Sequence, residues 1–205
     1  MRDLALIEEV VERFGASQVA LAASWQKESA VLVDLVQRVD PEIRIFTLDT
    51  GALFPESYDT WSAVEQRYGI EVERWRGEWV DELWLTDPDR CCAMRKVEPL
   101  ERALASADCW ITGLRRDQAP ERADTPEFGW DAQHGLYKAA PLAEWTEADV
   151  WRYINENDLP YNPLHDRGYA SIGCTHCTLP GRGRAGRWAG TDKIECGIHS
   201  AVKAA

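Results

Sequence analysis

The sequence predicts an α/β fold with a mainly parallel sheet flanked by helices, followed by a loop-rich C-terminal segment. Over the first 157 residues, short apolar runs alternate with longer amphipathic runs of helical spacing, which is typical of a parallel sheet built from βαβ units. Polar turns follow three of the apolar runs, where the carboxyl ends of parallel strands bind ligands. From residue 158 onward proline and glycine become frequent, which predicts loops laid over the strand ends.

The first five elements alternate between helix and strand. Residues 3–14 have an amphipathic pattern with acidic residues inside it, which predicts a surface helix. The apolar runs at 17–24 and 43–51 are short, as buried strands are. Residues 28–39 return to helical spacing, and residues 55–69 predict a helix because proline opens the segment and glycine closes it.

Four further elements complete the α/β part. Residues 70–76 and the strongly apolar residues 108–114 predict strands. Residues 95–106 predict a helix that contains a proline, and because proline is tolerated in the first helical turn, this helix is expected to begin near residues 96–98. Residues 146–158 predict a helix whose first residue, a threonine, caps it.

The composition indicates an acidic protein without a membrane span. Its 205 residues are enough for one domain with a real core, and the net charge at pH 7 is −12. That charge disfavours nucleic acid as a partner. No apolar run reaches about 18 residues, and the N-terminal pattern lacks the basic end and apolar centre of a signal peptide. We therefore expect a cytoplasmic protein with no membrane partner.

Two short stretches are rich in arginine although the protein as a whole is acidic. Residues 113–122 contain three arginines, and residues 181–188 contain three more. Because guanidinium groups form paired hydrogen bonds with phosphate and sulfate, these stretches indicate a site for a small anion. Charged loops facing solvent are the alternative interpretation.

Four of the six cysteines form two close pairs. Cys91 and Cys92 are adjacent, and Cys174 and Cys177 form a CxxC pair. Four thiols in pairs suit a structural zinc ion or an iron–sulfur cluster, and adjacent ligands fit the separate irons of a cluster better than one tetrahedral ion. The CxxC pair alone could equally be a redox dithiol, and His176 inside it is expected at the surface.

The other two cysteines differ in their surroundings. Cys109 lies in an apolar strand and is expected to be a buried core thiol. Cys196 lies in "KIECGIH", near Lys193 and His199, in a C-terminal tail that is expected to be mobile. A cysteine on a mobile tail beside basic residues could be a thiolate nucleophile. An incidental surface thiol is the alternative.

Several longer motifs together resemble one family. They are "LDTGALFPE", "CCAMRKVEPL", "ITGLRRDQAPER", "LPYNPLHDRGYASIGCTHCT", "RAGRW" and "ECGIH". From about residue 20 to residue 199, the chain is similar to the assimilatory adenylyl-sulfate (APS) reductases and the related phosphoadenylyl-sulfate (PAPS) reductases. The resemblance implies an adenine-nucleotide alpha-hydrolase-like fold in a single reductase domain, 1–205. Its expected parts are a core (1–157), a loop-rich segment for the cluster and arginines (158–190), and a mobile catalytic tail (191–205).

The resemblance also implies an oxidoreductase reaction. Cys196 would attack the sulfate sulfur of APS, AMP would leave, and an S-sulfocysteine would remain. Thioredoxin, or a glutaredoxin-like reductant, would then release sulfite for sulfate assimilation. The paired cysteines mark family members with an iron–sulfur cluster, so Cys91, Cys92, Cys174 and Cys177 would hold a [4Fe-4S] cluster that donates no electrons.

Further site residues follow from the same resemblance. Lys96 would bridge electrostatically between the cluster and the bound sulfate, whereas Arg184 and Arg187 would hold the phosphosulfate and stabilise the leaving oxygen. His199 would help to close the tail over the site or would lower the pKa of the thiol, and a bystander role is the alternative. The residues expected to bind substrate are Ser24, Glu28, Leu48, Asp49, Thr50, Gly51, Gly113, Arg115 and Arg116.

One motif departs from the family pattern. The turn "SWQKES" at 24–29 resembles the family's phosphate loop but lacks both of its glycines. Trp25 stands where phenylalanine is more usual, and Ser29 where aspartate is common. The individual contacts of this loop are therefore left open.

Three other functions compete with APS reduction. A PAPS reductase is the first, although the cysteine pattern favours APS. A non-catalytic nucleotide-binding module with an iron–sulfur cluster or zinc would leave "ECGIH" and "RAGR" unexplained. An ATP-pyrophosphatase-type sulfur or tRNA-modifying enzyme is disfavoured by the missing glycines and the acidic charge. Whether the protein forms a homo-oligomer is left open.

Overall fold

The protein has one six-stranded sheet, in a computed structural model that describes residues 2–199. The strands are β1 (Val19–Ala23), β2 (Arg44–Leu48), β3 (Glu73–Trp75), β4 (Cys109–Ile111), β5 (Phe128–Asp131) and β6 (Leu136–Ala139). Their order across the sheet is β3-β2-β1-β4-β6-β5. All neighbours are parallel except β5, which pairs with β6 in the antiparallel sense. The mainly parallel α/β fold predicted from the sequence is confirmed.

Strand β1 lies near the middle of the sheet, and both its faces are covered. Leu21 pairs with Ile45 of β2 on one side and with Ile111 of β4 on the other. Because successive side chains point to opposite faces, Leu21 packs into one apolar cluster and Ala20 into a second cluster on the other face. Burial on both faces explains why these strands read as continuous apolar runs.

Seven α-helices lie in the described part of the chain. They are α1 (Arg2–Phe14), α2 (Lys27–Val39), α3 (Pro55–Tyr68), α4 (Leu83–Thr86), α5 (Pro88–Cys92), α6 (Glu98–Leu104) and α7 (Glu147–Glu156). Apolar side chains of α1, α2, α3 and α7 pack into the larger cluster on one face of the sheet, and those of α6 pack on the other. Helix α3 ends at Gly69, whose φ of 65° suits glycine. Helix α7 begins at Thr146, whose hydroxyl accepts a bond from the amide of Asp149, so the predicted cap is confirmed.

The helix predicted to start near residues 96–98 is confirmed, because α6 begins at Glu98 with Pro99 in its first turn. The sequence did not predict the helical segment before it, in which α5 and a π-helical turn, Ala93–Val97, lead into α6 without a break. As a result, Cys91 and Cys92 are helical, and the next turn carries Arg95 and Lys96.

Two strands were not predicted, and the C-terminal segment is loop-rich as predicted. Strands β5 and β6 form a hairpin that extends the sheet beyond β4. Residues 158–199 have only two short 3₁₀ helices and a few isolated bridges, one of which joins Leu53 to Cys174. Residues 200–205 of the predicted tail lie outside the described residues. Among residues 2–199, no helix is long and apolar enough to cross a membrane.

Candidate active site

A cavity lies at the carboxyl ends of β1, β2 and β4, where the sequence predicts a ligand site. Its wall includes eleven residues that the sequence analysis singled out: Ser24, Glu28, Leu48, Thr50, Lys96, Gly113, Cys174, Arg184, Arg187, Cys196 and His199. The strands supply one side of the cavity, and the loops after residue 158 supply the other. Segments distant in the sequence therefore meet at one place.

The turn after β1 is tight although it has no glycine. Trp25 takes a left-handed φ of 59° and is buried, with its ring stacked on Trp61 at a centroid distance of 5.5 Å. The Ser29 hydroxyl accepts a 2.7 Å bond from the Ser24 amide and lies 3.0 Å from the Ser24 hydroxyl. The turn leads into the first residues of α2, where the amide of Lys27 donates a 3.1 Å bond to Nε2 of His165 and the amide of Ser29 donates a 2.9 Å bond to the Gln26 carbonyl.

Glu28 and Arg115 form a buried ion pair beneath this turn. The Arg115 guanidinium donates two bonds of 3.0 and 2.9 Å to Oε1 of Glu28, which also accepts from Gln118. Burial opposes ionisation of Glu28, but Lys27 and Arg115 outweigh it, so the pKa of Glu28 lies below its ordinary value. Arg115 does not line the cavity. Arg116 also does not line it and pairs with Glu144 near the surface.

The "LDTG" turn divides into residues that face the cavity and residues that shape the turn. Leu48 and Thr50 line the cavity, whereas Asp49 and Gly51 do not. The Asp49 carboxylate is fully buried and accepts bonds from the Gly51 amide at 2.9 Å and the Tyr58 hydroxyl at 2.7 Å. It is also paired with the arginines at 74 and 76 of the neighbouring strand and loop. Burial, helped by this carboxylate, raises the pKa of Tyr58 to about 12.

The four paired cysteines line one small cavity beside the first. Cys91 and Cys92 come from α5, Cys174 and Cys177 come from the C-terminal loops, and all four are free thiols. Three of them are buried, and Cys177 is partly buried. Among residues 2–199, however, no three His, Cys, Asp or Glu side chains form a group that could hold a metal ion. The structure thus gathers four thiols away from water without the arrangement of a single-ion site.

Lys96 connects the two cavities because its side chain lines both. Burial opposes the positive charge of Lys96, but the thiols of Cys174 and Cys196 favour it, and the pKa of Lys96 is raised. Burial likewise opposes ionisation of Cys174, but Lys96 and a 3.3 Å bond with the Thr50 hydroxyl outweigh it and lower the pKa. For Cys92, burial dominates and raises the pKa to about 11.

The two arginines of the "RAGR" motif reach the cavity from the loop after Cys177. Arg187 is buried and donates bonds to the Ser171 hydroxyl and to the Ile172 carbonyl, both at 3.2 Å. Arg184 binds the Ile194 carbonyl and pairs with Glu195. Two guanidiniums in the wall give the cavity the charge that an anionic ligand needs.

Several polar atoms at the cavity have no partner within the protein. The indole nitrogen of Trp110, the hydroxyl of Thr112 and Nε of Arg187 are buried and make no hydrogen bond to the described residues. Trp25 Nε1 and His199 Nδ1, also in wall residues, likewise have no partner. Buried polar groups normally find partners, so five such atoms in the wall of one cavity are suited to a polar ligand.

The tail brings its cysteine to the same cavity. Cys196 is partly buried and lines the wall, next to Lys96, Arg184 and Arg187 in the same lining. His199 stacks on Trp110 at a centroid distance of 5.3 Å. Burial and nearby cations lower the pKa of His199 well below its ordinary value.

Among the residues of this wall that had no assigned role in the sequence analysis, four carry polar or charged groups near the tail or at the end of β4. They are Trp110, Thr112, Arg122 and Glu195. Arg122 lies in one of the two arginine-rich stretches and Glu195 in the "ECGIH" motif, so both had a local signal. Trp110 and Thr112 lie within an apolar strand, and their sequence carries no such signal.

The fold and the site define an α/β protein with a cavity at the ends of its parallel strands whose wall includes Lys96, Arg184 and Arg187. Residues 18–180 match the phosphoadenosine phosphosulfate reductase domain. A protein of Bacillus pumilus named adenosine 5′-phosphosulfate reductase is 46% identical over 196 residues, which cover 89% of this chain and 84% of that protein. The chain therefore belongs to the family of the APS and PAPS reductases.

Solved structures agree with this assignment. A Candida auris phosphoadenylyl-sulfate (PAPS) reductase in a phosphate complex superposes with a TM-score of 0.78 at 28% identity, covering 87% of this chain and 91% of that one. A Candida glabrata FMN adenylyltransferase has a TM-score of 0.67 at 15% identity, covering 88% of this chain and 65% of that one. The second likeness shows that the fold is shared.

Proposed function

We propose that this protein reduces adenosine 5′-phosphosulfate to sulfite and AMP in assimilatory sulfate reduction, with thioredoxin or a glutaredoxin-like dithiol as reductant. The observation that carries the proposal is the meeting of Cys196, Lys96, Arg184 and Arg187 on one cavity at the strand ends. The names of the similar proteins support the substrate, because the relative at 46% identity is an adenosine 5′-phosphosulfate reductase.

In the first step, the Cys196 thiolate attacks the sulfate sulfur. A sulfur–sulfur bond forms, the bond between sulfur and the phosphate oxygen breaks, and AMP leaves with that electron pair. Arg184 and Arg187 stabilise the negative charge that grows on the phosphate oxygen. The carboxyl ends of β1, β2 and β4 bind the nucleotide, with Leu48 and Thr50 in the wall.

The second step regenerates the thiol and consumes two electrons. A thiolate of the reductant attacks Sγ of Cys196, and sulfite leaves with the electron pair of the sulfur–sulfur bond. The second thiol of the reductant then resolves the mixed disulfide and returns Cys196 to its thiol form. Cys196 must therefore meet two partners in turn, which suits a position on the tail (191–205) after the core (1–157) and the loop segment (158–190).

We assign the four paired thiols to a [4Fe-4S] cluster. A cluster binds each cysteine to a different iron, so its ligands need not converge on one point, and the four thiols around one cavity fit this requirement. When bound, the cluster supplies electrostatic and structural tuning, not electrons. Lys96 lies between this cavity and the substrate cavity, where its ammonium offsets the thiolate charge and attracts the sulfate.

A mass measurement tests the nucleophile and the substrate together. The protein is incubated anaerobically with APS, without reductant, and the intact mass is expected to rise by one sulfonate. Cys196→Ser is expected to abolish this adduct and to leave the visible absorption of the cluster intact, because the four cluster thiols are elsewhere. Loss of the absorption together with the adduct would contradict this division of roles.

PAPS is the second candidate substrate, and one comparison favours it. The solved PAPS reductase with a TM-score of 0.78 shares the fold over most of both chains. The same incubation with PAPS distinguishes the two substrates. An adduct formed mainly from PAPS would keep the mechanism and replace the substrate, and no adduct from either compound would refute both.

A further inference from the structure

The tail is held in the substrate cavity by contacts along its length. The contacts that dock residues 193–199 are Lys193 with Asp89, Gln133 with the Gly197 carbonyl, His134 with the Ile198 carbonyl, and Trp110 with His199. The two hydrogen bonds to tail carbonyls measure 2.7 and 2.9 Å. The docked tail therefore has a defined path, with Cys196 near its middle.

Glu195 is the charged centre of this docking. Its Oε1 accepts bonds from Nη2 of Arg122 at 2.6 Å and Nε of Arg122 at 3.1 Å, and its Oε2 lies 2.9 Å from Nη2 of Arg184. One carboxylate thus joins two guanidiniums that lie 62 positions apart in the sequence. The three side chains are only 13–19% exposed, so water screens the interaction weakly.

The two arginines need an anion between them. Burial, followed by the nearby charge of Arg122, lowers the pKa of Arg184 to about 10, and Glu195 opposes that shift. Removing one partner of such a pair leaves the other charge without compensation in a partly buried place. Glu195 supplies the anion in the ligand-free protein.

The substrate would bring another anion to the same place. Arg122, Arg184 and Glu195 all line the cavity that holds Cys196. With the tail docked, that cavity has a volume of about 170 Å³, whereas small-molecule sites are usually about 300–1,000 Å³. Because Glu195 and Cys196 belong to the same wall as Arg184, a nucleotide bound in this cavity would contact the tail, and its phosphosulfate would compete with Glu195 for Arg184.

We propose that Glu195 is a positioning residue whose carboxylate stands in for the substrate's anionic group on Arg122 and Arg184, and that the entering anion releases it. The exchange frees the segment around Cys196 to move onto the sulfur. When no such anion is bound, the contact of Glu195 with Arg122 and Arg184 keeps the Cys196 thiol partly buried. The proposal rests on the proposed function for the identity of the anion, while the contact itself does not depend on the chemistry.

Alkylation of Cys196 measures the exchange without turnover. The intact protein is treated with iodoacetamide, and modification of Cys196 is followed by peptide mass mapping, with AMP as the anionic probe and adenosine as its uncharged counterpart. In the unchanged protein, AMP is expected to accelerate the modification about tenfold, which corresponds to about 1.4 kcal/mol of lost docking. Adenosine is expected to have a much smaller effect, since it has no phosphate.

Variants of Glu195 test the role of the carboxylate. Glu195→Gln is expected to be modified about tenfold faster without ligand and to lose most of the response to AMP. Glu195→Asp is expected to restore part of that response because it keeps the charge. Asp192→Asn removes the same charge from an exposed tail position and is expected to behave like the unchanged protein.

The outcomes separate this proposal from the proposed function. Equal alkylation rates for Glu195→Gln and Asp192→Asn, with normal folding by thermal denaturation, would overturn the proposal that the Glu195 carboxylate holds the tail in place. An equal effect of adenosine and AMP would overturn the anion exchange. Neither result bears on the sulfonate adduct. If that adduct were absent in the separate mass experiment, the reductase chemistry would be refuted, but the contact of Glu195 with Arg122 and Arg184 would not be.

Discussion

Gly113 lies where the end of β4 meets the first turn of α2. A Cβ added at this position would lie 2.9 Å from Cβ of Glu28, closer than side chains normally approach. Glu28 cannot give way easily because Arg115 and Gln118 hold its carboxylate. The glycine therefore allows the strand to approach the buried ion pair beneath the substrate cavity.

Gly113→Ala is expected to destabilise the protein by about 1–3 kcal/mol, the usual cost of overpacking a tight site. Urea unfolding measures this change. Gly129→Ala is the control, since the nearest atom to its added Cβ is 3.8 Å away, an ordinary contact distance. A Gly113→Ala protein as stable as Gly129→Ala would show that α2 can shift without cost.

The motifs predicted which residues line the cavity correctly in some cases and not in others. The placement of Arg184, Arg187 and Cys196 on one cavity agrees with their motifs, and their roles stay predictions. Asp49 and Arg115 lie in equally clear motifs, yet each forms ion pairs with other side chains and does not line the cavity. Arg115 pairs with a carboxylate 87 positions away, and such a pairing depends on the folded chain, which local patterns do not describe.

At the scale of elements, two aromatic rings cover the cysteine cavity. The ring of Trp84, in α4, stacks on His176 at a centroid distance of 4.7 Å and an angle of 12°. Both residues line the cavity with the four thiols. Beside them, the Arg95 guanidinium lies 3.6 Å from the ring centre of Trp79, which fixes the loop before α4 against the π-helical turn.

Trp84→Ala is expected to expose the cysteine cavity and to speed the loss of iron severalfold. The measurement is the rate of iron transfer to a chelator in air, starting from the iron-loaded protein. Trp130→Ala removes an indole that is 61% exposed on β5 and serves as the control. Equal rates for the two variants would show that the stacked rings do not restrict access.

Element boundaries show what local pattern cannot predict. The predicted start of α6 is confirmed at Glu98, but the helical segment that leads into it through a π turn was not predicted. Strands β5 (FGWD) and β6 (LYKA) carry no continuous apolar run, unlike the even shorter β4, and they are defined by pairing with each other and with β4. In contrast, α3 and α7 carry their own start and stop residues and were predicted well.

At the scale of the whole molecule, docking of the tail on the core depends on a neutral histidine. Burial lowers the pKa of His199 well below 6.5, and the charges of Lys138, Arg122, His134 and Arg184 add to this effect. Lys138 is itself paired with Asp131. A histidine with a lowered pKa resists protonation only while it is docked. Below pH 6.5, His199 of the released tail therefore binds a proton, whereas His199 of the docked tail stays neutral. Docking weakens as the pH falls for this reason.

Between pH 6.5 and 5.5, the docking equilibrium is expected to weaken by up to about fivefold. Hydrogen–deuterium exchange of residues 193–199, corrected for the intrinsic effect of pH, measures it. His199→Asn is expected to remove this pH dependence because asparagine does not titrate. A pH dependence that persists in His199→Asn would assign the effect to another group.

The ends of the sheet affect how copies of the protein behave in a concentrated solution. Strand β3 at one edge has three residues and β5 at the other has four, so each offers only a short row of free backbone groups. Arg44 and Glu73 form an ion pair beside the first edge, and Asp131 ends the second. Short edges with charged neighbours discourage the pairing of one sheet with another. The protein is thus protected against aggregation by sheet extension, even though its sheet is open at both sides.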